Sequence, residues 1–230
     1  MNKIGIGILF YNEIENAKKI LEDISNYELN EIDFYFLDNG SNSIEFSQWL
    51  LNIQKTNVKV FQVERNLGFG GGAKYLMRNI PNDLRGYMPG NYKIRPKSLV
   101  ELNALLGDTT ELEIFKATRS GRNMIERLKT LGVGITTSAY FHRNMLDSGG
   151  TPTIVRADLV ETFQKGPDDF SFEAYLMYVS RLSKFKIKRA PINYGMRIHG
   201  SSHWQSGIKS ELSLLARIME QKNTWKKTIR

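Results

Sequence analysis

The stretch "KIGIGILFYNEIENAKKILEDI" (residues 3–24) decides the fold. Its first eight residues alternate and then run apolar, the composition of a buried strand. At Asn12 the pattern changes. Ile14, Ala17, Ile20, Leu21 and Ile24 recur at the spacing of one helix face. A buried strand feeding an amphipathic helix is the first part of a βαβ unit.

The alternation continues outward from there. "IDFYFLDNGS" (32–41) reads as a second strand ending in a turn signal, "IEFSQWLLNI" (44–53) as a helix and "VKVFQVE" (58–64) as a third strand. A helix restarts in "GGGAKYLMRNI" (70–80), and a short strand precedes Met88. The second half is less regular, with helices over 98–106, 121–141 and 170–185 and strands over 112–117 and 186–194. A loop over 147–156 enters another short strand. A final amphipathic helix carries Trp204, Ile208, Leu212, Leu215 and Met219 on one face. The expectation is a single α/β domain with a mostly parallel sheet covered on both faces. Ligands in such sheets bind outside the carboxyl ends of the strands. Tyr11-Asn12-Glu13, Asp38 to Ser41, Asn66 to Gly72 and Pro89 to Lys93 all follow predicted strands and are expected to line one crevice.

Composition narrows the function classes. The chain of 230 residues is 41% apolar and 24% charged, enough for a sizeable core. It has no cysteine, and its three histidines are far from zinc-ligand spacing. The short apolar start is too brief and wrongly flanked for a signal peptide, and no run is long enough to span a bilayer, so a cytoplasmic location is expected. The net charge of +8 favours an anionic partner. No nucleic-acid-binding signature accompanies it, which ranks phosphorylated small molecules ahead of DNA or RNA.

Single motifs carry two readings each. "GFGGGA" (68–73) has dinucleotide-fingerprint spacing but follows the third strand and lacks the later ribose-binding acid, which argues against a nicotinamide cofactor. Close approach of a ligand to its backbone and tight helix–strand packing both stand open. Asp38, expected outside the core, either bonds its own turn or accepts from a base or ribose. Glu13 either favours the dipole of the following helix or borders the same ligand.

Together, "ILFYNEIENAKKIL", "FYFLDNGSNS", "VERNLGFGGGAKYL" and "GYMPGNYKIRPKSL" resemble the family 2 inverting glycosyltransferases. That family shows P-x-Y-N-E, D-D-G-S, N-x-G and D-x-D before a proline, in this order and spacing. The branch resembled is that of the dolichol-phosphate mannose synthases and polysaccharide-biosynthesis transferases. "KATRSGR" and "YGMRIHGSSHW" resemble its later G-S-R and R-x-x-G-x-S-K segments. The resemblance implies a GT-A type, Rossmann-like three-layer sandwich that binds a nucleotide-diphosphate sugar. Residues 1–95 would form the donor half, 96–202 the acceptor half and 203–230 the C-terminal helix. By motif match Tyr11 and Glu13 would border the base and Asp38 the base or ribose, with Asn12, Asn39, Asn66 and Gly68 also on the donor side. Pro89, Gly90, Asn91 and Lys93 would meet the diphosphate, and Arg119 and Arg197 the phosphates or the acceptor. The acceptor would be a lipid phosphate or a glycan.

The departures are chemical. Asn39 replaces the second acid of D-D-G-S, and Ser43 stands where a later acid is common. Pro89-Gly90-Asn91 falls on D-x-D, and a neutral Asn91 is a poor substitute for two carboxylates on Mg²⁺ or Mn²⁺. Lys93, helped by Arg95, Arg119 and Arg122, would instead neutralise the leaving diphosphate. A hydroxyl acceptor needs a general base, for which Asp147, Asp168, Asp169 and Glu173 are the candidates; a phosphate acceptor needs none. The apolar stripe of the last helix, with Lys209, Arg217, Lys222, Lys226, Lys227 and Arg230, would pack on the core, make a dimer contact or lie on an anionic membrane at its inner face.

Overall fold

The computed structural model describes residues 3–27, 32–107, 109–195 and 208–227. Its centre is a seven-stranded sheet built from β1 (Ile4–Phe10), β2 (Ile32–Asp38), β3 (Val58–Gln62), β4 (Leu84–Pro89), β5 (Ile114–Ser120), β6 (Thr153–Arg156) and β7 (Ile187–Asn193). The order is β3-β2-β1-β4-β6-β5-β7. β6 is antiparallel to both of its neighbours, whereas β1, β2, β3 and β4 pair in parallel, as do β5 and β7. All strands but β6 therefore end at the same edge.

Helices cover both faces, which gives three layers. On one face α1 (Ile14–Asn26), α2 (Ile44–Leu51) and α4 (Pro96–Leu106) pack on Ile4, Ile6, Ile8, Phe34 and Phe36. The other face carries α3 (Gly68–Asn79), the end of α5 (Met124–Phe141), α6 (Val160–Phe163), α7 (Phe172–Leu182), α8 (Ile208–Glu220) and α9 (Lys222–Lys227). The alternation of "IGIGI" in β1 serves both layers. Its isoleucines fill the first face, while a Cβ on Gly5 would meet Ile80 at 2.4 Å and one on Gly7 would meet Leu76 at 2.6 Å. The glycines let α3 lie close on the centre of the sheet.

Local chemistry places the helix starts. Ser43 accepts the amide of Phe46 and caps α2, and Asn123 accepts the amide of Glu126 and caps α5. Residues 157–163 form a 3-10 turn and the short α6, which the sequence reading left without structure. The final helix is broken at Gln221 into α8 and α9. Leu214, Ile218 and Trp225 pack into the core, with Trp225 stacked on Phe141 of α5. The packing face therefore differs from the expected stripe: Leu212 is exposed, and Leu215 and Met219 are only half-buried. Trp204, Arg230 and the side chain of Lys209 lie outside the described residues.

Candidate functional site

The ends of β3, β2, β1 and β4 are laced together. The Asn39 amide donates to the Phe10 carbonyl at 2.9 Å, Gly90 to Leu9 at 2.7 Å and Val63 to Asp38 at 3.1 Å. Asn12, at φ 53, donates its N–H to the Ser41 hydroxyl, and its side-chain oxygen accepts from the Asn42 amide at 3.0 Å. Asn42 also reaches the Tyr11 hydroxyl. Glu13 precedes α1, and its carboxylate accepts from Asn16.

Asp38 is 1% exposed, which corrects the expectation that it lies outside the core. Its carboxylate accepts from the Ser41 amide at 2.9 Å, the Ser47 hydroxyl at 2.6 Å and Gln62 at 3.3 Å. Its first task is therefore to hold the turn. Asn39 is equally engaged. Its amide nitrogen donates to the Gly68 carbonyl at 3.1 Å and to Asn66, while its oxygen accepts from the Leu67 amide. Asn66 in turn accepts from the Gly68 amide at 2.7 Å. A carboxylate at position 39 would offer no donor to these oxygens.

The glycines of "GFGGGA" are explained by packing. A Cβ on Gly70 would lie 2.3 Å from the Pro167 carbonyl oxygen, and one on Gly72 would lie 2.4 Å from Leu9. Gly68 has φ 74 and sits against the Asp168 backbone. The start of α3 is capped by the 166–169 loop, since the Gly71 amide donates to the Asp168 carbonyl.

The Pro89–Lys93 loop is anchored from beneath. Gly90 lies under the Phe10 ring, at 2.3 Å from an added Cβ. Tyr92, at φ 57 and 3% exposed, buries its ring and donates its hydroxyl to Asp23 of α1. Burial and that carboxylate raise the Tyr92 hydroxyl well above the ordinary tyrosine value. Asn91 accepts the Lys93 amide at 3.2 Å, and the Lys93 carbonyl accepts from Gly195, just beyond β7. The Lys93 ammonium makes no ion pair among the described residues. Tyr92 lies within the Pro89–Lys93 stretch expected to meet the diphosphate, but its pairing with Asp23, 69 residues away, was not foreseen in the sequence.

This loop does not suit a divalent cation. It offers one neutral oxygen, already engaged by an amide, beside a lysine. Among the described residues no group of three or more His, Asp or Glu side chains converges as a metal site.

A second cluster lies at the ends of β5 and β7. Arg119 donates its amide to Asp147 at 3.0 Å and its guanidinium to the same carboxylate at 2.6 Å. Asp147 has φ 46, and its carbonyl accepts from Arg189 at 2.7 Å. The Tyr194 hydroxyl is hydrogen-bonded to Thr151, and the Tyr194 amide donates to Ser120. Residues 194 and 195 thereby join this cluster to Lys93. Arg119 belongs with Asp147 here, and Arg197 lies outside the described residues.

Every carboxylate considered as a general base is held by a cation: Asp147 by Arg119, Asp168 by Lys74 at 2.6 Å, Asp169 by Arg217 at 2.5 Å, and Glu173 by Lys116. Burial alone would raise Asp169, but the Ser171 hydroxyl, Arg217 and the Ser171 amide together hold its carboxyl below the ordinary value. Lys116 is fully buried, and burial lowers its ammonium against the pull of Glu173.

The layer order and the single reversed strand define a GT-A type, Rossmann-like fold. No protein-family model matches the chain, and no curated protein sequence matches it. Solved structures do. A mycobacterial protein is 14% identical with a TM-score of 0.70, over 97% of this chain and 74% of that one. Glucosyl-3-phosphoglycerate synthase from Mycobacterium tuberculosis, in complex with Mn²⁺, UDP and phosphoglyceric acid, is 13% identical with a TM-score of 0.69, over 99% and 78%. TarS from S. aureus is 13% identical with a TM-score of 0.58, over 99% and 70%. At these identities the shared property is the fold.

Proposed function

We propose that this protein is a nucleotide-sugar-dependent glycosyltransferase, with the donor held at the ends of β3, β2, β1 and β4. The observation that carries this reading is the hydrogen-bonded rim at those ends, together with Lys93, whose ammonium makes no ion pair among the described residues. Rigid turns and backbone groups at the carboxyl edge of a parallel sheet form a nucleotide crevice. The synthase of the same fold crystallised with UDP and Mn²⁺ supports the ligand class.

In this reading the transfer inverts the anomeric carbon. An acceptor oxygen forms a bond to that carbon as its bond to the diphosphate oxygen breaks, and the diphosphate leaves with the electron pair. Lys93 meets the charge that develops there. The paired state of Asp147, Asp168, Asp169 and Glu173 favours an acceptor that is already anionic. A lipid phosphate or a phosphorylated saccharide needs no base, and Arg122 and Arg127 line a groove beside Arg119 that suits a phosphate.

The same pairing also favours a second reading, a sugar-nucleotide-binding protein without turnover. One experiment tests both. Calorimetry with UDP, GDP and their sugar conjugates is expected to show binding, and slow release of free sugar identifies the transferase. Binding without hydrolysis under any acceptor identifies the second reading. No binding of any nucleotide diphosphate would overturn both.

A further inference from the structure

Helix α5 presents two faces to different surroundings. Its buried residues are Gly134, Thr137 and Phe141, all in its second half, where Phe141 meets α9 and the core. Met124, Ile125, Leu128, Leu131 and Ile135 are instead between 48% and 74% exposed. On a helix of 3.6 residues per turn these five side chains fall within an arc of about 120°, turned away from the buried stripe. Arg127 borders one edge of the arc and Lys129 the other. Glu126 lies outside it and is engaged with Arg122 at 3.3 Å. Five large apolar side chains in one row differ from the single exposed ones every surface carries.

We propose that α5 is an interfacial helix that docks this protein on an anionic lipid bilayer. The apolar row enters the head-group region while Arg127 and Lys129 meet lipid phosphates on either flank. Charge selects this occupant over a second copy of the chain. Two copies joined on this face would set Arg127 and Lys129 beside their own equivalents, in a chain whose net charge is already +8. An anionic surface gains from the same charges. Met124, Leu128 and Leu131 of the row also line a groove of about 490 Å³ together with Arg119, Arg122 and Arg127, which extends the combination of cation and apolar surface. The inference does not depend on the transferase reading, since it concerns a face that needs no turnover to act.

Co-sedimentation of the full chain with vesicles tests it. Binding to phosphatidylglycerol vesicles is expected, with little binding to phosphatidylcholine and a decline as salt rises. Ile125→Ser combined with Leu128→Ser is expected to weaken vesicle binding by about tenfold or more, through lost apolar burial. Because both side chains are exposed, the melting temperature should hold. Three results would overturn the proposal. The first is no vesicle binding by the parent chain. The second is a dimer in light scattering that the double variant dissolves. The third is a large drop in melting temperature with lipid binding unchanged, which would mean that the chain covers this face itself.

Discussion

The Tyr92 hydroxyl donates to the Asp23 carboxylate across 69 residues of sequence, and this bond ties the Pro89–Lys93 loop to α1. Asp23 is itself 7% exposed, so the hydroxyl gives a buried carboxylate a hydrogen-bond partner. The ring also fixes a left-handed backbone turn at a residue other than glycine, a conformation retained only where packing demands it.

Tyr92→Phe keeps the ring and removes the donor. Leaving a buried carboxylate short of a partner costs about 1–3 kcal/mol. The expected result is a urea midpoint lowered to match, together with weaker UDP binding because the loop loses its anchor. An unchanged midpoint would show that water replaces the hydroxyl freely and that the loop is held by other contacts.

Asn39→Asp restores the acid of the resembled D-D-G-S pattern and is nevertheless expected to destabilise this protein. The new carboxylate would face the oxygens of Gly68 and Asn66 with no hydrogen to give. The cost is about 1–3 kcal/mol at neutral pH. Protonating the carboxyl supplies a donor, so the deficit against the parent chain should shrink as pH falls toward the usual carboxylate pKa of about 4. A variant as stable as the parent at neutral pH would mean that the rim rearranges.

Much of this was legible in the sequence. β1, β2 and β4 are almost wholly buried and the helices of the first half are periodic, so order and type could be read from Ile4 to Pro89. The turns after β1, β2 and β4 were legible because Asn, Asp, Gly and Pro stand at strand ends. The direction of β6 was not, since four residues between loops carry no orientation signal. The partners of Asp147, Asp169 and Glu173 lie 28, 48 and 57 residues away, distances over which sequence gives no pairing rule. The burial of Asp38 was hidden for the same reason: Ser47 and Gln62, which enclose it, come from α2 and β3.

Asp169 gives a pH signature. A carboxyl held below its unfolded value stabilises the fold fully above that unfolded value, and the contribution is lost as pH falls through the folded one. Asp169→Asn should therefore lower the melting temperature at pH 7, and the gap to the parent chain should close on acidification below about pH 4. Comparing the two proteins at each pH removes the titration of the other carboxyls. A gap that stayed constant would show that the charge met by Arg217 is not its source, since the amide oxygen of the variant still accepts from Ser171.

The last prediction concerns the cation two residues beyond the D-x-D position. Asn91 spends its oxygen on the Lys93 amide, and the ammonium of Lys93 has no ion pair among the described residues. A lysine in that state is available to a diphosphate oxygen, and the Tyr92 anchor holds its backbone in place. UDP affinity measured by calorimetry is expected to be nearly the same in EDTA as in Mn²⁺. Lys93→Ala should lower that affinity and cost about 2–4 kcal/mol of transition-state stabilisation in donor turnover, the scale of one preorganised donor. Because Lys93 contributes its backbone to the link with Gly195 and its side chain to no described contact, the variant should fold normally. Binding abolished by EDTA and restored by Mn²⁺, with Lys93→Ala close to neutral, would place a metal where the lysine is read to act. Asn91, ligand oxygens and water would then have to complete its coordination.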